Sequence, residues 1–187
     1  RTQNIRFAAG VFTNITQDHL DYHKTFSNYI KAKQQFFNQL PAEAFAIYNA
    51  DDRNGKIMVQ NTAARRISYS LTRPADVNAK VVRMEMPGMM LEIGSLQLWT
   101  VLTGMFNAYN MMAIYATASC FYSDKQELLA VLSNQKPVRG RFERIVSPQG
   151  RFGIIDYAHT PDAVENVLST INELRTRSEQ VVAVLGA

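Results

Sequence analysis

Two histidines and two aspartates fall within six residues, Asp18, His19, Asp21 and His23, in the stretch DHLDYH. An imidazole flanked by carboxylates can ligate a divalent metal through one ring nitrogen while a carboxylate orients the other. The same side chains would suit a solvated helix-entry loop, and their spacing is not a ligand signature by itself. Lys33, further along, carries an amine that on most helices is simply a surface lysine. In GMFNAYN, Asn107 and Asn110 stand three apart, so on a helix both amides could turn to one ligand and read a purine edge. Asn107 could equally be a helix N-cap. Arg141, in GRFE, could fork onto phosphate oxygens or serve as a linker ion-pair partner. In IDYAHTPDA, Asp156 and His159 come just before a helix start at Thr160-Pro161, where free N–H groups favour anions.

These groups need elements to hold them. The apolar run Ala8 to Phe12 predicts a buried strand that delivers DHLDYH to a strand exit, the place where α/β sheets put ligands. Ser27 is the expected N-cap of a helix running to Leu40, with Tyr29, Phe36 and Phe37 on its apolar face and Lys31 and Lys33 along it. A second buried strand is expected over Ala44 to Asn49, ending in NADD (Asn49 to Asp52), then a short helix over Arg53 to Asn61 and a half-exposed strand over Arg66 to Leu71. Val81 to Met86, Met89 to Ile93 and Gln97 to Leu102, split by Pro87-Gly88 and Gly94-Ser95, predict an antiparallel meander. Asn107 to Tyr122 has helical spacing, and Ser123 with Gln126 resembles a capping box for a helix to Leu132. The polar segment SNQKPVRG, Ser133 to Gly140, suggests a domain boundary, giving units 1–136 and 137–187. Beyond it a strand (Arg151 to Tyr157), a helix (Pro161 to Arg175) and a strand (Val181 to Leu185) predict the opening of an α/β domain.

With 187 residues, 47% of them hydrophobic, the chain can build a sizeable core and is not of the disordered class. No apolar run approaches the roughly 18 to 20 residues of a membrane span, and RTQNIRF does not read as a signal peptide. The lone Cys120 excludes an intrachain disulfide and agrees with a reducing, cytoplasmic setting. A net charge of +4 is scattered, so phosphate-bearing small molecules and nucleic acid are equally compatible with it. Both ends look cut: the chain opens just ahead of a buried strand and stops after VVAVLGA, as an internal piece of a longer protein would.

Taken in order, VFTNITQDHLDYH, YIKAK, NADD, GMFNAYN, GRFE and DYAHTPDA resemble the Mur ligases, the ATP-dependent amino-acid ligases of peptidoglycan precursor synthesis. DYAHTPDA resembles the E-type branch, which adds the third peptide residue, meso-diaminopimelate or L-lysine, to UDP-N-acetylmuramoyl-L-alanyl-D-glutamate. The resemblance implies the second half of a central ATPase domain, a parallel sheet plus a small antiparallel one, followed by the start of a C-terminal dinucleotide-fold domain. It implies that His19 ligates Mg2+ and that Lys33, carbamylated by CO2, is the second ligand. It further implies that Asn107 and Asn110 lie near the adenine of ATP, that Arg141 reaches the nucleotide, that Asp156 is associated with the ribose and that Arg1 contacts the muramoyl dipeptide. No nucleic-acid or membrane partner is implied. No GxxxxGK[ST] phosphate loop occurs in the chain, so it is expected to be inactive alone. A folylpolyglutamate synthase of the same superfamily, or a non-catalytic nucleotide-binding module, are the competing expectations.

Overall fold

The computed structural model describes residues 5–15, 25–176 and 178–186. Its centre is a six-stranded sheet in sequential order, β1 (Ala9–Phe12), β2 (Phe45–Asn49), β3 (Arg65–Ser70), β4 (Val77–Glu85), β5 (Gly88–Ile93) and β6 (Leu96–Thr100). The first four run parallel, with Val11 opposite Ile47 and Ile47 opposite Ile67, and the last three are antiparallel. The two sheet styles expected from sequence are thus fused through β4. A separate two-stranded ribbon follows, β7 (Glu143–Val146) with β8 (Phe152–Ile155).

Helix α1 (Phe26–Asn38) crosses from β1 to β2, and the single turn α2 (Gly55–Met58) lies between β2 and β3. Neighbouring residues of β2 serve opposite cores. Ala46 joins Phe12, Phe37, Leu40 and Met58 on the α1 face, while Ile47 joins Tyr69, Leu91, Leu98, Met111 and Met112 on the other. A strand buried on both faces reads as a continuous apolar run, which is why it was visible in the sequence. Helix α3 (Met105–Ala118) covers β2, β3 and β4 and is apolar nearly all round, as a central helix must be. Helix α4 (Lys125–Ser133) packs on β6, and α5 (Pro161–Leu174) starts at Thr160 and Pro161 as expected. No helix among the described residues is long and apolar enough to cross a membrane.

Several expected boundaries move. Thr25, not Ser27, caps α1, its hydroxyl accepting the Asn28 N–H at 3.2 Å. Asp124, not Ser123, caps α4 by accepting the Gln126 and Glu127 N–H groups. The helix after NADD is four residues long rather than nine, because Asp52 already captures the Asn54 N–H and the Gly55 N–H bonds back to the Asp52 carbonyl. β3 is half-exposed as expected, but along its length and not by alternation: Arg65 and Arg66 are exposed while Ser68, Tyr69 and Ser70 are all buried, the far half lying between β2 and β4 under α3. β4 begins four residues before Val81 and is bulged between Val81 and Arg83, which turns Val82 outward. β7 had no clear signal, and Val181 to Leu185 has no ladder partner among the described residues and is not a strand.

Candidate functional site

At the C-terminal ends of the parallel strands, the NADD loop organises its surroundings through side chains. The Asn49 amide donates to the Thr13 carbonyl at 3.0 Å and accepts the Asp51 N–H at 2.9 Å, so β1 and β2 leave the sheet tied together. Asp52 accepts the Ile15 N–H at 3.2 Å on the same side. The Asp51 carboxylate is the hub: it accepts from the Ser70 hydroxyl, the Leu71 and Thr72 N–H groups, the Thr72 hydroxyl and the Tyr109 hydroxyl, with Arg73 at 3.9 Å. Burial alone would push the Asp51 carboxyl up; the bonds from Thr72, Leu71, Ser70 and Tyr109 outweigh it and hold the group below the usual carboxylate range. Across that bond, burial and then the Asp51 carboxylate push the Tyr109 phenol up to about 12.

Asp76 is held low as well, first by the Ser68 hydroxyl at 2.6 Å and then by the Ser68 N–H at 2.8 Å. A carboxylate whose folded pKa lies below its unfolded 3.8 contributes stability that is complete above that value and is lost as pH falls through the folded one. The urea midpoint of the complete protein should therefore be flat from neutral pH to about 5 and fall below about 4. Replacing Asp51 by Asn should shrink that acid-limb fall, as read by urea titrations at several pH values.

The second cluster lies where the chain passes from α4 to the β7–β8 ribbon. Phe142 has a left-handed backbone, φ +46, uncommon for a non-glycine residue. Asp156 holds it there, accepting the Phe142 N–H at 2.7 Å through one oxygen and the Ala158 N–H at 2.8 Å through the other. The buried Phe142 ring packs edge-on against Phe106 of α3, centroids 5.4 Å apart. Arg141 then projects outward with its guanidinium 5.3 Å over the Tyr157 ring. Arg144, on β7, donates to the Met86 carbonyl and ties the ribbon to the β4–β5 turn. Asn107 borders the same junction beside a cavity of about 180 Å³ that Thr103, Phe142 and Arg144 also line.

Asn107, Arg141 and Asp156 are therefore brought together around Phe142. Asn107 is not a cap: α3 begins two residues earlier after Gly104, and the half-buried Asn107 side-chain amide donates to the Thr103 carbonyl at 2.8 Å. Asn110 is exposed one turn on. Lys33 is exposed on α1, its ammonium 5.4 Å over the ring of Tyr29. Arg1, Asp18, His19, Asp21 and His23 lie outside the described residues. Among the described residues no group of three His, Cys, Asp or Glu could hold a metal ion. An ammonium is no ligand either, whereas an exposed lysine amine is open to CO2, and a carbamate would offer the oxygens a hard cation takes. Sequence reasoning missed the Asp51 hub and the left-handed Phe142; the Arg-Phe pair straight after Gly140 was the only local hint of the latter.

A cavity of about 550 Å³ lies between β8, α5 and residues 179–185, bordering Asp156 but walled mainly by aliphatic chains such as Val164, Val167, Leu168 and Val184. Arg151, Arg175, Glu179 and Gln180 add polar groups to that wall, but of the residues expected from sequence only Asp156 borders it, so the junction beside Phe142, which Asn107, Arg141 and Asp156 all border, is the better candidate.

Compared with known proteins, residues 1–118 match the Mur ligase middle domain and residues 140–187 match the Mur ligase, glutamate ligase domain. A curated relative from Cytophaga hutchinsonii, named UDP-N-acetylmuramoyl-L-alanyl-D-glutamate--2,6-diaminopimelate ligase, is 47% identical over 186 residues, taking in 100% of this chain and 38% of that protein. The chain thus spans about two fifths of the length of the curated relatives it matches. MurF from Acinetobacter baumannii has the same fold, with a TM-score of 0.78 at 16% identity over 90% of this chain and 38% of that one. So does the MurF ligase from Thermotoga maritima in complex with ADP, at 0.72 and 16% over 91% of this chain and 40% of that one.

Proposed function

Because this chain belongs to the Mur ligase family, we propose that the protein carrying it is an ATP-dependent ligase that joins 2,6-diaminopimelate to UDP-N-acetylmuramoyl-L-alanyl-D-glutamate in peptidoglycan synthesis. The observation that carries this reading is the whole-chain match to the Cytophaga relative of that name. The reading brings a cytoplasmic location and a partner set of small molecules: the UDP-sugar dipeptide, ATP and the amino acid. Residues 1–136 form part of the ATP-binding domain and 137–187 the beginning of the C-terminal one, with nucleotide held at the junction.

In this reading the D-glutamate γ-carboxylate attacks the ATP γ-phosphate, releasing ADP and forming an acyl phosphate. The amine of diaminopimelate then attacks the acyl carbon and phosphate leaves. Little covalent work falls to the protein, so positioning and charge neutralisation supply most of the rate. Asn110 and the Oδ1 of Asn107, whose amide nitrogen is spent on the Thr103 carbonyl, read the adenine edge, which offers both donors and acceptors. The two Asp156 oxygens each spend one acceptor site on backbone N–H groups and keep another for ribose hydroxyls. Arg141, stacked on Tyr157, presents its fork to phosphate oxygens. Arg1 contacts the muramoyl dipeptide. His19 and the Lys33 carbamate would hold Mg2+, which when bound neutralises charge on the phosphates.

The complete protein, given ATP, Mg2+ and the UDP-sugar dipeptide, should form the diaminopimelate adduct at least about a hundredfold faster than the L-lysine adduct, with products identified by mass. Equal rates, or no ADP release with either amino acid, would overturn this reading.

A further inference from the structure

Tyr109 lies between the two asparagines in sequence but not in space. Helix α3 turns 100° per residue, so Tyr109 stands about 160° round the axis from Asn107 and about 100° from Asn110. The two amides share one side of the helix, and the phenol reaches back toward the strand ends. There its hydroxyl donates to the Asp51 carboxylate at 3.1 Å. That carboxylate is only 9% exposed and is itself pinned by Ser70, Leu71 and Thr72, so it is a fixed point of the sheet and not a mobile surface group. The rest of α3 is held by apolar packing through Ala108, Met111, Met112 and Ala116. Unbranched methionines adapt to several rotations of a helix and do not select one. A directional bond does.

We propose that Asp51 and Tyr109 are positioning residues: their hydrogen bond sets the rotation of α3 and thereby aims Asn107 and Asn110 at the nucleotide base. This rests on the reading above that the two amides face ATP. Neither residue touches substrate; Asp51 acts through Tyr109, and Tyr109 through the helix it sits on.

The test is calorimetric titration of the complete protein with ADP and, separately, with the UDP-sugar dipeptide. Tyr109→Phe removes one hydroxyl and keeps the ring in the core. It should weaken ADP binding about fivefold, with the sugar affinity unchanged and the melting temperature within about 2 degrees of the parent. Asp51→Ala, which leaves no acceptor for the phenol, should weaken ADP at least as much, and adding Tyr109→Phe to it should cost less than about another twofold, since the bond is already lost. Unchanged ADP affinity in Tyr109→Phe overturns the inference, whatever becomes of Asp51→Ala. So does a matched loss for both ligands with a lowered melting temperature, which would mark a merely structural hydroxyl. A parent protein that binds no ADP would instead overturn the ligase reading, and this inference with it.

Discussion

Replacing Lys33 by alanine in the complete protein should lower the rate of ligation about a thousandfold or more, the scale expected when a charge-stabilising group is lost from a phosphoryl-transfer site. Acetate or formate should restore part of it. Lys33 is exposed on α1 and rests over the Tyr29 ring, so its amine meets solvent. Left as an ammonium it has three donors and no acceptor and repels a divalent cation. On taking up CO2 the nitrogen bonds to carbon as one C=O π bond opens onto oxygen, two protons leave counted from the ammonium, and the group ends in two oxygens with a net negative charge. A small carboxylate entering the space left by the side chain replaces those oxygens without the tether, which is why rescue should be partial. Lys31, two residues back and so about 160° round the same helix, is the internal control. Lys31→Ala should change the rate by no more than about twofold. The measurement is ADP release with and without added carboxylate; a Lys33→Ala protein that keeps its rate, or loses it with no rescue by any small carboxylate, would remove the carbamate from the proposal.

Much of the strand framework was legible because its signals are local. β1, β2, β5 and β6 are apolar runs closed by turn residues, and Thr160-Pro161 marks the start of α5 in both sequence and structure. Errors arose where local chemistry offers equivalent choices. Thr25 and Ser27, or Ser123 and Asp124, have side chains of similar capping strength, and the path of the preceding loop decides between them. Val181 to Leu185 shows a different limit: its composition suits a strand, but a strand is a property of a pair. Asn107, Arg141 and Asp156 were found as separate motifs, and the structure adds their common neighbour, the left-handed Phe142 that Asp156 holds and that packs against Phe106. Nothing in NADD reveals that Asp51 accepts a hydroxyl from 58 residues away, because such a partner exists only after α3 has packed.

Gly55→Ala should be among the most destabilising single-methyl changes in the chain, costing about 3 to 5 kcal/mol. Gly55 opens α2 and is buried; a Cβ there would stand 2.0 Å from the Asn49 carbonyl oxygen and 3.2 Å from the Tyr48 ring. The obstructing atom is backbone, so no rotamer change relieves it. Asn49 cannot yield cheaply, since its 5%-exposed side chain bridges the Thr13 carbonyl and the Asp51 N–H. Gly55 cannot either, because its N–H bonds the Asp52 carbonyl at 2.9 Å. Either way about 1 kcal/mol is lost for each bond broken, in addition to the overpacking itself. Gly94→Ala supplies the contrast. Gly94 has φ +62 with nothing within 4 Å of its added methyl, so only the left-handed backbone penalty of about 1 to 2 kcal/mol applies. Denaturant midpoints of the two variants decide the matter: if Gly55→Ala costs no more than Gly94→Ala, the loop after β2 is soft, and it could not hold Asp51 as a fixed point for α3. If the cost is as large as expected, ADP affinity should fall with it, because the carboxylate that receives Tyr109 stands only four residues from the added methyl.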